Sequence, residues 1–393
     1  MPTHNDFRHQ PYPTQPNPEP RFCRLEISDG ADIDFSQLHH AYGIRQVVLV
    51  HGTFMGDDPF AVAEIMHQLG ESQPALQKPL SLLSAAINDR LQKVRSSVTG
   101  DRGNYTDDYR ELFQQLVGTD PEVCLLHPTW SGQNHHLARA DLAVRLLCHL
   151  DSVQPTEADR ILFWGHSHAG NGFALLSNLL ANHRAAVAEF FEAAGQDADH
   201  WQRAAEILAA APAPHPWAAS VVFAAFGTPV RYGWDPDGYR QLIHLLHHRR
   251  GSDEAPFRTQ PLFPPHRLHD MTAATWGDWV QAFAIAGTDV SPPTSKAVNR
   301  RLNDLLEAGL EPPELTLDVR LVASERLRNL CARWKTGTRC HQDGLNLLLE
   351  YVGSGLQTPV GTELETSVFG HGVATTHDWL PAHLALLMQH LHP

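Results

Sequence analysis

From residue 44 onward the chain alternates short, continuously apolar runs with longer segments of helical spacing. The runs occupy residues 46–50, 123–126, 161–164, 221–226, 280–286 and 345–351 and are rich in Val, Ile, Leu and Phe. They lack the strict apolar–polar alternation of a strand with one wet face, so each predicts a strand buried on both faces. Between them, residues 137–150 put Leu142, Leu146 and Leu150 on one helical stripe, and residues 173–180 continue helically out of a strand. Strand, helix, strand in repetition predicts an α/β fold, with a mostly parallel central sheet flanked by helices.

The pattern also marks what lies outside that repeat. Residues 1–20 carry six prolines and no apolar run, which predicts a disordered Pro-rich tail that adds nothing to the core. Residues 21–393 then form a single domain. Three connections, near 57–120, 182–218 and 231–278, are too long for minimal crossovers. They read as helical and loop insertions that form a cap over one edge of the sheet.

Composition narrows the function classes. Of 393 residues, 42% are hydrophobic and 19% charged, enough apolar matter for a large core and too little charge for a disordered chain. The net charge of −14 argues against nucleic acid as a partner, since phosphate binding needs a basic face. The 26 histidines, if all protonated, would move the formal charge from −14 to +12, so the surface field depends on pH. The longest nearly apolar stretch, 217–230, is too short to span a bilayer. No secretory h-region is visible and the five cysteines form no Cys-x-x-Cys pair; a cytoplasmic location with reduced thiols is expected.

Chemistry concentrates in one segment, Phe163-Trp164-Gly165-His166-Ser167-His168-Ala169-Gly170. A buried strand meets a sharp turn with a serine at its tip, small residues two positions before and after it, and a helix beyond. Such a turn forces the hydroxyl into the cleft at the C-terminal edge of the sheet, where the helix directs its positive end. Upstream, Val47-Val48-Leu49-Val50-His51-Gly52-Thr53-Phe54 ends another strand in His-Gly.

These two segments, in this order, resemble the α/β-hydrolase superfamily and within it the lipase- and esterase-like serine hydrolases. The resemblance implies the α/β-hydrolase fold and an acyl-enzyme route, with Ser167 as nucleophile. It also implies an oxyanion hole made by the backbone of His168 and of Thr53 or Phe54; the triple-glycine loop of some lipases is absent here, so those two remain alternatives. The family's order of Ser, acid, His puts the base after the last strand, where His371 and His377 are the options. His371 is preferred, because Gly370 and Gly372 let the backbone turn inward. For the acid, Asp289 follows the 280–286 run directly and is preferred; Asp235, eight residues beyond Gly227, is the alternative.

Carboxylic esters, whether small molecules or lipids, are the implied substrates. An amidase, thioesterase or acyltransferase would use the same scaffold, and a non-catalytic binding or scaffold protein would keep the fold alone. Trp130, Tyr232 and Trp234 are aromatic residues that could line a substrate pocket. His244, His247 and His248 have the i, i+3, i+4 spacing of one helical face, and His266, His269 and Asp270 form a looser group, but neither carries a metal signature. No metal and no cofactor are expected.

Overall fold

The structure is a computed structural model that describes residues 7, 19–53, 104–118, 123–248, 277–278, 280–281, 289–306, 340–352 and 370–392. Seven strands form one sheet: β1 (Arg21–Glu26), β2 (Ile44–Val50), β3 (Cys124–Leu126), β4 (Arg160–His166), β5 (Val221–Phe226), β6 (Gln241–His247) and β7 (Leu345–Val352). Their order is β1-β7-β6-β5-β4-β2-β3 and every pairing is parallel. The chain winds outward from β2 to β3, returns across β2 to β4, and then builds in the opposite direction. The sheet therefore reverses between β2 and β4, the place in open parallel sheets where the C-terminal strand ends generally take ligands.

Helices cover both faces, and the strand pleat sorts the core between them. Val48, Val50, Ile161, Phe163, Val221 and Phe223 pack in one apolar cluster with α3 (His136–Val153), α4 (Ala169–Ala181), α5 (Arg184–Ala194), α6 (Asp199–Ala210) and α7 (Lys296–Leu306). Val47, Leu49, Leu162, Trp164, Val222 and Ala224 pack in a second cluster with α1 (Gln37–His40), α2 (Asp107–Val117) and α8 (Leu380–Met388). Each fully buried Val, Leu or Phe here contributes about 2 kcal/mol, which fixes the register: a one-residue slip would exchange the two sets. Local signals set the helix starts. Thr106 accepts from the Tyr109 amide at the head of α2, and the His135 ring accepts from the Ala138 amide at the head of α3, satisfying donors that a helix leaves open.

Several expectations need correction. Residues 280–286 do not supply a sheet strand where they are described: Val280 and Gln281 are helical, and 282–288 lie outside the described residues. The strand in question is β6, inside what the pattern assigned to an insertion. His244, His247 and His248 therefore do not share a helical face; His244 and His247 lie on β6, and His248 follows it in an isolated bridge to Gly277. The edge strand β1 was not expected at all, since only Leu25 of its six residues is buried. In the Pro-rich N-terminal segment Phe7 is buried, its ring stacked on Phe190 at 4.8 Å and its amide donating to Asn178 Oδ1. That residue belongs to the core. The expected insertion 182–218 holds α5 and α6, which join the apolar cluster of α3 and α4. No described helix is long and apolar enough to cross a membrane.

Candidate active site

The tip of β4 carries a turn in left-handed backbone geometry. Ser167 has φ +57°, a left-handed conformation that costs a non-glycine residue about 1–2 kcal/mol. Its amide donates to the Phe226 carbonyl at 2.7 Å, tying the turn to the end of β5. The turn closes because neighbouring positions are small: a Cβ on Gly165 would stand 2.3 Å from Phe173 Cε2. Ser167 is 5% exposed, and His168, the residue preceding α4, lies at the positive end of that helix.

The end of β2 faces this turn across the β2–β4 ladder, in which Val50 stands opposite Gly165. Gly52 comes so close that a Cβ there would lie 2.9 Å from Ser167 Cβ. Thr53 follows it directly, and its hydroxyl is buried without a hydrogen-bond partner among the described residues. Phe54 lies outside the described residues. Trp130 braces the strand end from the other side: its indole N–H donates to the His51 carbonyl at 3.0 Å and its ring stacks on His51.

His371 sits in a turn after β7, at the head of a short 3-10 helix, Gly372–Thr375. Its Nδ1–H donates to Asp278 Oδ2 at 2.6 Å, with both residues buried. A carboxylate at Nδ1 fixes the tautomer and leaves Nε2 as the basic nitrogen. The pair is held against the elbow through its neighbours. The His166 ring lies 4.3 Å from the His371 ring. Gly227, next to the residue that binds the Ser167 amide, has φ +56°, and a Cβ there would stand 2.8 Å from Asp278 Oδ2 and 3.3 Å from His371 Nδ1. Nothing larger than glycine fits between β5 and this pair.

The carboxylate that meets His371 is thus Asp278, not Asp289. Asp289 lies in a separate buried cluster, where Arg231 reaches its two oxygens at 3.0 and 2.6 Å, Arg139 donates at 2.8 Å and His136 stands at 3.4 Å. Burial pushes this carboxyl up, but Arg231 and Arg139 outweigh it and hold it well below the usual range. Two guanidiniums against one carboxylate leave a positive excess beside the elbow. Burial first, and then Arg139 and Arg231, hold the His168 imidazole well below the ordinary histidine range, so that ring stays neutral.

The other expected residues fall apart from Ser167 and His371. His377 is exposed and pairs with Asp378. Asp235 is fully buried, accepts from the Asp237 amide at the head of a turn and lies 3.1 Å from His183 Nε2. His183, Asp235 and Asp237 bring ligand-type atoms within 4.8 Å of one another; the capping bond and the His183–Asp235 contact already account for that arrangement. The Tyr232 hydroxyl bonds Arg139 and His136 inside the Asp289 cluster. Trp234 packs in the core against Phe223 and His244. His266, His269 and Asp270 lie outside the described residues.

Asp278 was missed because β6 was. Its sequence signal is Gly277-Asp278, with Gly277 bridged to His248 just past the end of β6. The sheet and its helices place the chain in the α/β class. Comparisons with family models, curated proteins and solved structures find no match to it.

Proposed function

We propose that the chain is a serine hydrolase of the α/β-hydrolase type that cleaves carboxylic esters through an acyl-enzyme, with Ser167, His371 and Asp278 as its triad. The observation that carries this reading is a buried carboxylate–imidazole pair lodged beside a serine in left-handed backbone geometry at a strand-to-helix turn. The order of the parts also supports it: a His-Gly strand end, then the serine, then the acid after β6 and the histidine after β7.

In this mechanism Ser167 Oγ attacks the acyl carbon while His371 Nε2 takes its proton. Asp278 stabilises the imidazolium that forms and keeps the ring in register. The carbonyl electron pair moves onto oxygen, where the His168 amide and an amide of the Thr53–Phe54 turn stabilise the oxyanion. Collapse expels the alcohol, protonated by His371. A water molecule, deprotonated by the same nitrogen, then releases the acid and restores the serine. The Arg139–Arg231 excess adds a positive field near the developing negative charge, and the neutral His168 ring adds no further positive charge.

The test is hydrolysis of p-nitrophenyl esters of graded chain length by wild-type protein and by Ser167→Ala. Turnover that falls about 10⁴-fold or more in the variant, with folding retained, supports the reading. Equal rates in both proteins overturn it.

A further inference from the structure

The turn that carries His371 is held by two imidazoles that take no part in the proposed triad. His166 ends β4, directly before Ser167, and is 1% exposed. Its Nε2 lies 3.0 Å from the His371 carbonyl oxygen, which can only accept. His247 ends β6, is 7% exposed, and its Nδ1 lies 2.8 Å from the Gly370 carbonyl oxygen. Two consecutive carbonyls of the turn are thus caught from two different strands.

We infer that His166 and His247 are positioning residues that clamp the Gly370–His371 turn and so set where the base stands relative to Ser167. This rests on the function proposed above. Asp278 fixes the direction of the His371 ring, and the two carbonyl bonds fix the backbone that carries it. The ring can meet both Asp278 and the serine only if its Cα is placed correctly. His166 links that Cα to the nucleophile by the shortest covalent path, since the residue whose ring holds the His371 carbonyl is bonded to Ser167. On its other side its Nδ1 faces the oxyanion strand, 3.0 Å from the Cβ position of Gly52. His247 is further steadied by Tyr351, whose ring meets it edge-on at 5.0 Å. The clamp requires a proton on Nε2 of His166 and on Nδ1 of His247.

The test compares His166→Phe and His247→Phe, which keep an aromatic ring and lose the donor, with His166→Gln and His247→Asn, which keep a donor near the same atom. A base displaced by about 1 Å costs up to about a hundredfold in rate. The Phe variants should therefore lose about tenfold to a hundredfold in kcat on a p-nitrophenyl ester, with KM within about threefold. The Gln and Asn variants should regain most of that loss. Phe variants that fold and keep wild-type kcat overturn the clamp. Should they not fold, the ¹⁵N-histidine spectrum of the wild-type protein decides: protons on His166 Nε2 and His247 Nδ1 support the clamp, and a proton on the opposite nitrogen of either ring overturns it. Wild-type protein without Ser167-dependent turnover would defeat the proposed function, and the spectrum would then judge the clamp by itself.

Discussion

Replacing Asp278 by Asn removes one negative charge from a site only 1% exposed, 2.6 Å from His371 Nδ1. When His371 accepts the serine proton, the lost carboxylate would have faced a cation. Two unit charges about 4 Å apart at an effective dielectric near 20 interact by about 4 kcal/mol, or about 10³ in rate. The amide also accepts the wrong tautomer of the ring, and that substitution in other Ser-His-Asp enzymes lowers kcat about 10⁴-fold. Asp278→Asn should therefore lose about 10³- to 10⁴-fold in kcat while remaining folded. Asp289→Asn should do the opposite. It leaves Arg139 and Arg231 buried without their carboxylate, a change that costs about 3–5 kcal/mol of stability, while kcat of the folded fraction stays within about tenfold. Initial rates on a p-nitrophenyl ester and urea unfolding of both variants separate the two roles. An Asp278→Asn enzyme within tenfold of wild type, beside a folded Asp289→Asn protein that has lost about 10³-fold, would refute the assignment of Asp278.

Three further outcomes follow from the same geometry. Gly52→Ala puts a methyl 2.9 Å from Ser167 Cβ, so the nucleophile must shift; kcat should drop by up to about a hundredfold with little change in the circular dichroism spectrum, and an unchanged kcat would show that Ser167 tolerates displacement. Phe7→Ala removes a ring stacked on Phe190 in the core and should cost about 3 kcal/mol in urea unfolding; wild-type stability would mean that the Phe7 ring does not pack there. Burial holds His341 down to about 4 and His383 down to about 3, both below the unfolded value near 6.5. The unfolded chain therefore binds more protons from pH 6.5 down to about 4, and stability falls with pH by about 1.4 kcal/mol per unit for each group; equal urea midpoints at pH 7 and pH 5 would contradict their burial in neutral form.

Most of the sheet was legible because β2, β4, β5 and β7 are short continuous apolar runs, the pattern of a strand covered on both faces. The elbow was legible for a steric reason: Gly165, Ser167 and Ala169 are the sizes the turn permits. What escaped detection escaped on physical grounds. The edge strand β1 exposes Arg21, Phe22, Arg24 and Glu26, so its sequence shows no two-sided burial. In Gln-Leu-Ile-His-Leu-Leu-His of β6 the seven residues are too few to separate a strand from a helix by period, and the histidines suggested a polar surface. They are buried there with polar partners, His244 Nε2 on the Asp343 carbonyl and His247 Nδ1 on the Gly370 carbonyl, and the His244 ring stacks on His341. With β6 unplaced, nothing in the pattern marks Asp278, the carboxylate that meets His371. Asp289 stands out by its place after an apolar run, and no sequence pattern reveals that it is bonded by Arg139 and Arg231, both far away in the chain.

The nucleophile itself is tested most directly by treating the folded protein with a fluorophosphonate and mapping the adduct by peptide mass spectrometry. A single phosphonyl group on Ser167, absent after urea unfolding and in Asp278→Asn much slower to form, is the expected result. Folded wild-type protein that stays unmodified at Ser167, or that is labelled on another serine, would contradict the proposed chemistry.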